Sequence, residues 1–550
     1  MFAEGIASHR AGRLGEAERL YRKILELDPA HAASLHLLGM VAFQTGHGEA
    51  ALELIRKAIV SNGADAAYYT DLGIVLQMQG KFEEAAGCYE RAIELSPRSV
   101  GAFNNRGLAL QMLGRLEEGA ESFARALEVE ADCAEAHTGL GNLRQAQGRL
   151  EEAEACHLRA LAVRPGYAEA WSNLGCVRHL KGELDEAVAC FRQALELQPG
   201  FAEGHNNLGD VLQAMGKLAE AARCYERAVE LKPGYARARL NGSTIRLLMG
   251  DFAAGLREYE WRWEVLAQRG FAQPRWNGER LHGARILLHA EQGLGDTLQF
   301  LRYVPMVQAA GGRVVLEVQP SLRRLAGLVP GVREEDVVAA GALLPPFAWQ
   351  CPLMSLPLVF GSTLESIPAE TPYLFVPRKA AEKAARVAWP ASGLRVGLVW
   401  VGSAAHLKDR FRSIPSGLLE PLLEVSGARF FSLQVSAASG QQASLDERIT
   451  DLAPEIGDMA DTAALIARLD LVIAVDTSVA HLAGALGKPV WVMLPFAPDW
   501  RWLVDREDSP WYPAMRLFRQ QTVGDWESVI EAVRDALVEE IESLAGEDDL

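Results

Sequence analysis

The stretch Val472-Ile-Ala-Val-Asp-Thr-Ser-Val-Ala-His-Leu-Ala-Gly-Ala-Leu-Gly-Lys-Pro-Val-Trp491 decides how the C-terminal half of this chain folds. The run Leu471 to Val475 is apolar throughout, as a parallel strand covered on both faces must be. Asp476, Thr477 and Ser478 then offer N-cap chemistry. A helix of small residues follows from Ala480 to Leu486, and Gly487 with Pro489 just beyond ends it. Val490 to Leu494 is strand-like again. A polar turn between a strand and a helix is where an open α/β sheet binds its ligand, and free helix N–H groups suit an anion such as a phosphate.

The same alternation runs through the sequence from Arg285 onward. Arg285 to His289 predicts a strand, Gln292-Gly-Leu-Gly295 a turn, and Asp296 opens a helix to about Ala310. Further strands are expected at Arg313–Val318, Val337–Val338, around Ala348–Gln350, at Leu394–Trp400, at Arg429–Gln434 and at Ile449–Leu452. Helices are expected at Ser321–Leu328, Asp458–Leu469 and Trp526–Leu537. The prolines Pro368, Pro372 and Pro377 mark a linker. Two such units with a cleft between them describe the glycosyltransferase B architecture of two facing Rossmann-like halves.

Gly293-Leu-Gly-Asp296 at a first strand–helix turn, with Asp476-Thr-Ser-Val-Ala-His481 at a later one, resembles the lipopolysaccharide heptosyltransferase family. The resemblance covers roughly Arg285 to Leu537. It implies sugar transfer from a nucleotide donor, with inversion and without a metal or other cofactor. It implies that Asp296 is the catalytic base, and that Asp476, Thr477, Ser478 and His481 meet the donor. Ser478 departs from the family, which has glycine there. A diphosphate leaving group needs positive charge; in His406-Leu-Lys-Asp-Arg-Phe-Arg412 the nearest match to the family's lysine is Arg412, with Lys408 second. Gln434 is a weaker candidate for nucleotide contact. His289 and Glu291 would share a face of an extended strand, but no third ligand is evident and no metal site is expected. The loops Pro495–Trp502 and Ser509–Pro513 fall at the same edge, as pocket wall or as interdomain packing.

The N-terminal half repeats every 34 residues. Gly5, Gly39, Gly73, Gly107, Gly141, Gly175 and Gly209 keep one beat, and Pro29, Pro97, Pro165, Pro199 and Pro233 a second. Ala17, Ala51, Ala85, Ala153, Ala187 and Ala221 keep a third. Tyr21, Tyr89, Phe123, Phe191, Tyr225 and Tyr259 keep a fourth, broken by Ile55 and His157. This resembles the tetratricopeptide repeat from Met1 to Pro233, in which paired helices stack into a superhelix with an inner groove. The aromatic is expected to fill the gap between repeats. Asn105, Asn173, Asn207 and Asn241 share one position on the groove-lining helix, interrupted by Leu37, Asp71 and Gly139. Polar residues tolerated at that position account for the series as well as a function does. An amide ladder of this kind, offering both donor and acceptor, grips an extended peptide, and a similar one lines the groove of protein O-GlcNAc transferases.

The expected organisation is an all-α tetratricopeptide superhelix over 1–235 and a degenerate eighth helix pair with a Trp-rich junction over 236–281. An acceptor-side half carrying the base follows over 282–385, and a donor-side half over 386–550. The expected function is glycosyl transfer to an acceptor, protein above all, recruited by the repeats. An inactive scaffold, and a transferase for a glycan or lipid acceptor, are the alternatives. A net charge of -17 argues against nucleic acid or an anionic membrane as partner. Cys88, Cys156, Cys190 and Cys224 share one repeat position and read as small core residues, in keeping with a reducing, cytoplasmic setting. Neither a signal peptide nor a membrane span is expected.

Overall fold

The structure is a computed structural model that describes residues 1–266, 269–402, 409–435 and 446–548. Two compact units emerge, Met1–Val211 and Leu212–Leu550. The first is a stack of helix pairs in the tetratricopeptide manner, from Phe2–Arg10 with Leu14–Leu27 through Leu184–Leu197. Within a pair the side chain of the second helix, a ring at Tyr21, Tyr89, Phe123, His157 and Phe191 and the aliphatic Ile55 in the second pair, rests on the glycine of the first. A Cβ at Gly73 would lie 2.5 Å from the Tyr89 ring and one at Gly107 2.7 Å from Phe123, so no larger residue fits. The aromatic therefore packs within its own pair; Phe123 also meets the next repeat at Gly139, where a Cβ would lie 2.4 Å away. The alanines of the third beat are wholly buried. Cys88, Cys156, Cys190 and Cys224 are unbridged, Cys190 buried and the others half-buried.

A further 34-residue beat closes each pair. Gly12, Gly46, Gly80, Gly114, Gly148, Gly182, Gly216 and Gly250 occupy the helix–helix turns with φ between 71° and 87°. Glycine enters this left-handed region without the Cβ clash that other residues meet. The eighth pair, Ala236–Leu248 and Phe252–Tyr259, keeps this turn at Gly250.

The second unit continues from there into two parallel sheets. The first holds β1 (Arg285–His289), β2 (Arg313–Val318), β3 (Val337–Ala339) and β4 (Trp349–Pro352) in the order β3-β2-β1-β4. The second holds β5 (Leu394–Val399), β6 (Ala428–Ser432), β7 (Ile449–Asp451), β8 (Leu471–Val475), β9 (Val490–Leu494) and β10 (Met515–Arg519), in the order β10-β9-β8-β5-β6-β7. Strand order reverses between β1 and β4 and between β5 and β8, so each half is Rossmann-like with a crevice at the carboxyl ends of those pairs. β8 and β9 are buried along their whole length. One contiguous buried cluster joins Leu247, Phe252 and Tyr259 to Ile286 and Leu298, and on to Val472, Leu482 and Trp502. The two halves and the eighth helix pair therefore share a core. Trp276 is in it, fully buried.

Several elements differ from expectation, among them the following three. The helix opened by Asp296 is broken into Leu294–Phe300, a 3-10 turn Leu301–Tyr303, and Val304–Ala309. Pro305 lacks the N–H that a continuous helix would need. The last helix runs on to Asp548. β10 has no counterpart in the expected strands, because Met515-Arg-Leu-Phe-Arg519 sits at a sheet edge and carries two arginines.

His157 replaces a ring of the fourth beat. It is fully buried and neither ring nitrogen has a protein partner. Burial pushes its pKa down to about 4. A folded pKa below the unfolded one gives stability that is full above pH ~6.5 and lost as pH falls toward 4, about 3 kcal/mol in all. His157→Phe should remove that loss and stabilise the array at pH 7 by about 1–3 kcal/mol. Helical melts of the full chain at pH 7 and pH 4.5 test this: the wild type should drop further in melting temperature than the variant.

Candidate active site

The crevice of the second half lies between the ends of β5 and β8. After β8 the backbone turns at Asp476 and enters the helix Ser478–Ala485. Its N-cap is Thr477, which makes no side-chain bond to the first turn. The Thr477 hydroxyl is buried without a protein partner. The cap bond expected of this Asp-Thr-Ser run is therefore missing: a polar strand end has been left short of acceptors where an anion would supply them.

The loop after β5 braces this turn. Arg412 Nη1 donates to the Asp476 carbonyl at 2.9 Å, and its Nε donates to Asp409 Oδ1 at 3.1 Å. Ser413 Oγ donates to Asp409 Oδ2 and accepts from the Gly402 N–H. Gln434 Oε1 accepts from the Val401 N–H at 3.1 Å, which holds the end of β5. Arg412 is thus brought to the Asp476 turn, and Gln434 to the end of β5. Lys408 lies outside the described residues.

The crevice of the first half supplies Asp296. Its Oδ2 accepts from the Gly293 N–H at 2.8 Å, closing the turn after β1. Thr297 donates to Gln319, whose amide donates to the Gln292 carbonyl, so the turn is held from β2 as well. The decisive residue is Gly295. A Cβ there would lie 2.8 Å from the His481 ring and 3.6 Å from the Ser478 Cα. With no side chain between them, the helix after β1 and the helix after β8 meet at their N-terminal turns. Asp296 thereby stands beside the Asp476–Ser478 turn, although 180 or more residues separate them in sequence.

His481 takes a different place from the one expected. It is buried, stacked on Trp502 with ring centres 5.3 Å apart, and its Nδ1 is 3.0 Å from the Tyr512 hydroxyl. Nε2 faces Asp476 Oδ1 at 4.0 Å. Burial pushes its pKa down to about 3, so it is neutral and wedges the turn from behind. Among the other expectations, Glu291 is bound by the buried Arg262, and His289 Nε2 is 3.1 Å from Gln350 Oε1.

Arg501 was not singled out from the sequence. It lies in the loop after β9, within the Trp-rich run Asp499-Trp-Arg-Trp502, and bonds both Asp296 and Asp499. Its signal was an arginine at the carboxyl edge of a strand; the distance of its partner, 205 residues away, hid the pairing.

In the repeat unit, Asn105, Asn173 and Asn207 stand on first helices of their pairs, as the register requires. Asn173 Nδ2 is buried without a protein partner, and Asn207 Nδ2 bonds Ser172 Oγ at 3.4 Å. Asp71, at the equivalent position, pairs with His36 instead. Asn241 belongs to the second unit.

Tetratricopeptide repeat families match residues 9–72, 70–137, 104–156, 132–199 and 202–235. Glycosyltransferase family 9 (heptosyltransferase) matches residues 434–493, from Gln434 through β9. Protein FlbA of Caulobacter vibrioides is 30% identical over 292 residues, covering 48% of this chain and 48% of that one. The chain thus spans about half the length of the curated relative it matches. Solved repeat proteins are similar over the array. A thermophilic tetratricopeptide protein of Thermus thermophilus is 25% identical over 33% of this chain and 99% of its own, with a TM-score of 0.31. A tetratricopeptide protein of Parabacteroides merdae is 18% identical over 44% and 95%, with a TM-score of 0.39. The chain thus carries tetratricopeptide repeats in its N-terminal part and a C-terminal region of parallel sheets, part of which matches glycosyltransferase family 9. Among the described residues no helix is long and apolar enough to cross a membrane.

Asp476 carries the pH dependence of the turn. Burial and the neighbouring Asp499 carboxylate push its pKa up to about 6, against Arg412 and Arg501. A folded pKa above the unfolded value of ~3.8 means that its contribution favours the fold below pH 4 and is lost as pH rises through 6. At pH 7.5 the ionised group is a load of about 3 kcal/mol. Asp476→Asn should therefore raise the melting temperature of the C-terminal unit at pH 7.5, with the gain vanishing near pH 4. Paired melts at the two pH values measure it.

Proposed function

We propose that the C-terminal unit transfers a sugar from a nucleotide-sugar donor, with inversion and without a metal, and that the repeats present a protein acceptor. The observation that carries this is the contact at Gly295, which sets a carboxylate from one half beside an anion-suited turn from the other. In the reaction, Asp296 takes the proton of an acceptor hydroxyl as that oxygen attacks the anomeric carbon. The carbon–oxygen bond to the diphosphate breaks on the opposite face, and the nucleoside diphosphate leaves with the electron pair. One displacement inverts the centre. The leaving charge is met by the N-terminal turn at Thr477–Ser478 and by Arg412, whose planar fork suits phosphate oxygens. Lys408 is a second candidate cation for it. Ser478, in place of glycine, adds a hydroxyl to the cradle. Gln434 orients the loop beside the base-binding end. His481 holds the turn in shape and supplies no charge.

The family 9 match over 434–493 supports the donor half of this reading, since it contains Asp476, Thr477, Ser478 and His481. The repeat matches support a protein partner. The shared register of Asn105, Asn173 and Asn207 on the first helices of their pairs supports a backbone ladder as the means of holding it.

A thermal-shift screen of the full chain with ADP, UDP, GDP and CDP, followed by transfer assays with the matching nucleotide sugars on extract proteins, tests the reading. Asp296→Asn should still bind the nucleoside diphosphate while transfer falls by about 10²–10⁴. Arg412→Ala should weaken diphosphate binding by about tenfold or more, the worth of a charged hydrogen bond. Asn105→Ala with Asn173→Ala should raise KM for the protein acceptor and leave kcat unchanged. The reading fails when none of the four nucleotides raises the melting temperature, or when Asp296→Asn transfers at the wild-type rate.

A further inference from the structure

Arg501 is buried, and every nitrogen of its guanidinium is used. Nε donates to Gln299 Oε1 at 2.6 Å, Nη1 to Asp499 Oδ1 at 2.7 Å, and Nη2 to Asp296 Oδ1. The Trp500 ring lies 4.6 Å from its centre and the Phe300 ring 5.7 Å. Asp296 is occupied in turn, by Arg501 on one oxygen and by the Gly293 N–H on the other. A carboxylate held this way is a poor proton acceptor, because a guanidinium favours its charged form. The base of the proposed reaction is therefore engaged in this structure.

The place of Arg501 suggests what disengages it. Trp502, the next residue, stacks on His481, one turn into the helix that begins at Ser478. Gly295, next to Asp296, abuts the Ser478 Cα. The guanidinium thus stands where the base and the diphosphate turn meet. Its charge is felt at Asp476 and at His481. Arg302 makes the contrast. That buried arginine bonds the Gln299, Pro368 and Trp511 carbonyls and the Tyr373 hydroxyl, all neutral oxygens, as a structural staple does. Arg501 instead bridges two carboxylates, one from each half.

We infer that Arg501 is a shared counter-ion: the donor diphosphate and Asp296 draw on the same guanidinium, so donor binding withdraws Arg501 from Asp296 and frees the base. The inference rests on the Asp476–Ser478 turn being the diphosphate site. It makes Arg501 a positioning residue that links donor occupancy to the readiness of Asp296, so that the base is released when a donor is present.

Calorimetric titration of a double-mutant cycle in the full chain tests it, using whichever of ADP, UDP, GDP or CDP gives the largest thermal shift. Asp296→Asn gives up the competing charge and should tighten diphosphate binding at least about fivefold, the lower end of typical coupling between sites. Arg501→Gln should weaken binding, and in that background Asp296→Asn should bring no gain. A failure of Asp296→Asn to tighten binding overturns the inference. So does a gain that persists or grows without Arg501, which is plain like-charge repulsion between Asp296 and the ligand. If Arg501→Gln does not fold, Arg501→Lys takes its place, keeping the charge without the fork, and the gain should shrink to less than half of the wild-type value. Absence of any nucleotide binding to the wild type overturns the donor-site reading itself, a result distinct from binding without coupling.

Discussion

The site depends on a missing side chain. Gly295 lets two helices from different halves of the C-terminal unit touch at their N-terminal turns, within a Cβ's distance of the His481 ring and the Ser478 backbone. Helix N-termini carry partial positive charge, so two of them placed end to end repel unless negative charge lies between. Asp296, Asp476 and Asp499 supply it. Asp476, buried and beside the Asp499 carboxylate, is pushed toward its neutral form. Arg501 and Arg412 restore the balance. The close approach thus dictates the charges around it, and those charges are the chemistry proposed for the site.

The repeat unit is built with the same device. There a ring, or Ile55 in the second pair, rests on a glycine at the 34-residue beat, and a second glycine closes each pair at positive φ. The eighth pair carries this grammar into the C-terminal unit. Phe252 packs about 6 Å from the rings of both Trp500 and Trp511, and the fourth-beat ring Tyr259 lies 6.1 Å from Trp500. Burial pushes the Tyr259 hydroxyl up to about 12, and it senses the charges of Arg501 and Asp296. A repeat helix pair is therefore also a wall of the candidate active site, which ties the last repeat to the loop that holds Arg501.

Periodicity made most of this fold legible. A beat of 34 residues needs only local spacing, and buried parallel strands such as β8 and β9 are apolar without interruption, so both are visible in the chain. β10 was not, because an edge strand interrupted by two arginines carries neither signal. The Asp296 and Asp476 turns were legible because strand ends followed by small polar residues stand out. What joins them was not legible. Gly295 reads as an ordinary turn glycine until His481 is seen against it. Arg501 reads as a loop cation until its partner, 205 residues earlier, is known. His481 lies on the turn the sequence pointed to, but its enclosure was not legible, since sequence reports a residue's position and not the Trp502 and Tyr512 rings that surround it.

That enclosure has a consequence for how the site holds charge. A histidine beside a phosphate site is commonly a cation that comes and goes near neutral pH. Here the imidazole is kept neutral by burial, with its pKa near 3, and the cations are arginines, which stay charged throughout the physiological range. The positive side of the crevice is therefore constant, and Asp476 carries a charge that varies. Raising Asp476 toward pH 6 puts the variable charge on the turn proposed to meet the diphosphate, where a second anion would raise a carboxylate's pKa further. Donor binding at neutral pH is then expected to take up a proton at Asp476 while Arg501 shifts away from Asp296. On the proposed reading one carboxylate is neutralised as the other is uncovered, which offsets part of the charge that the diphosphate brings while the base becomes available.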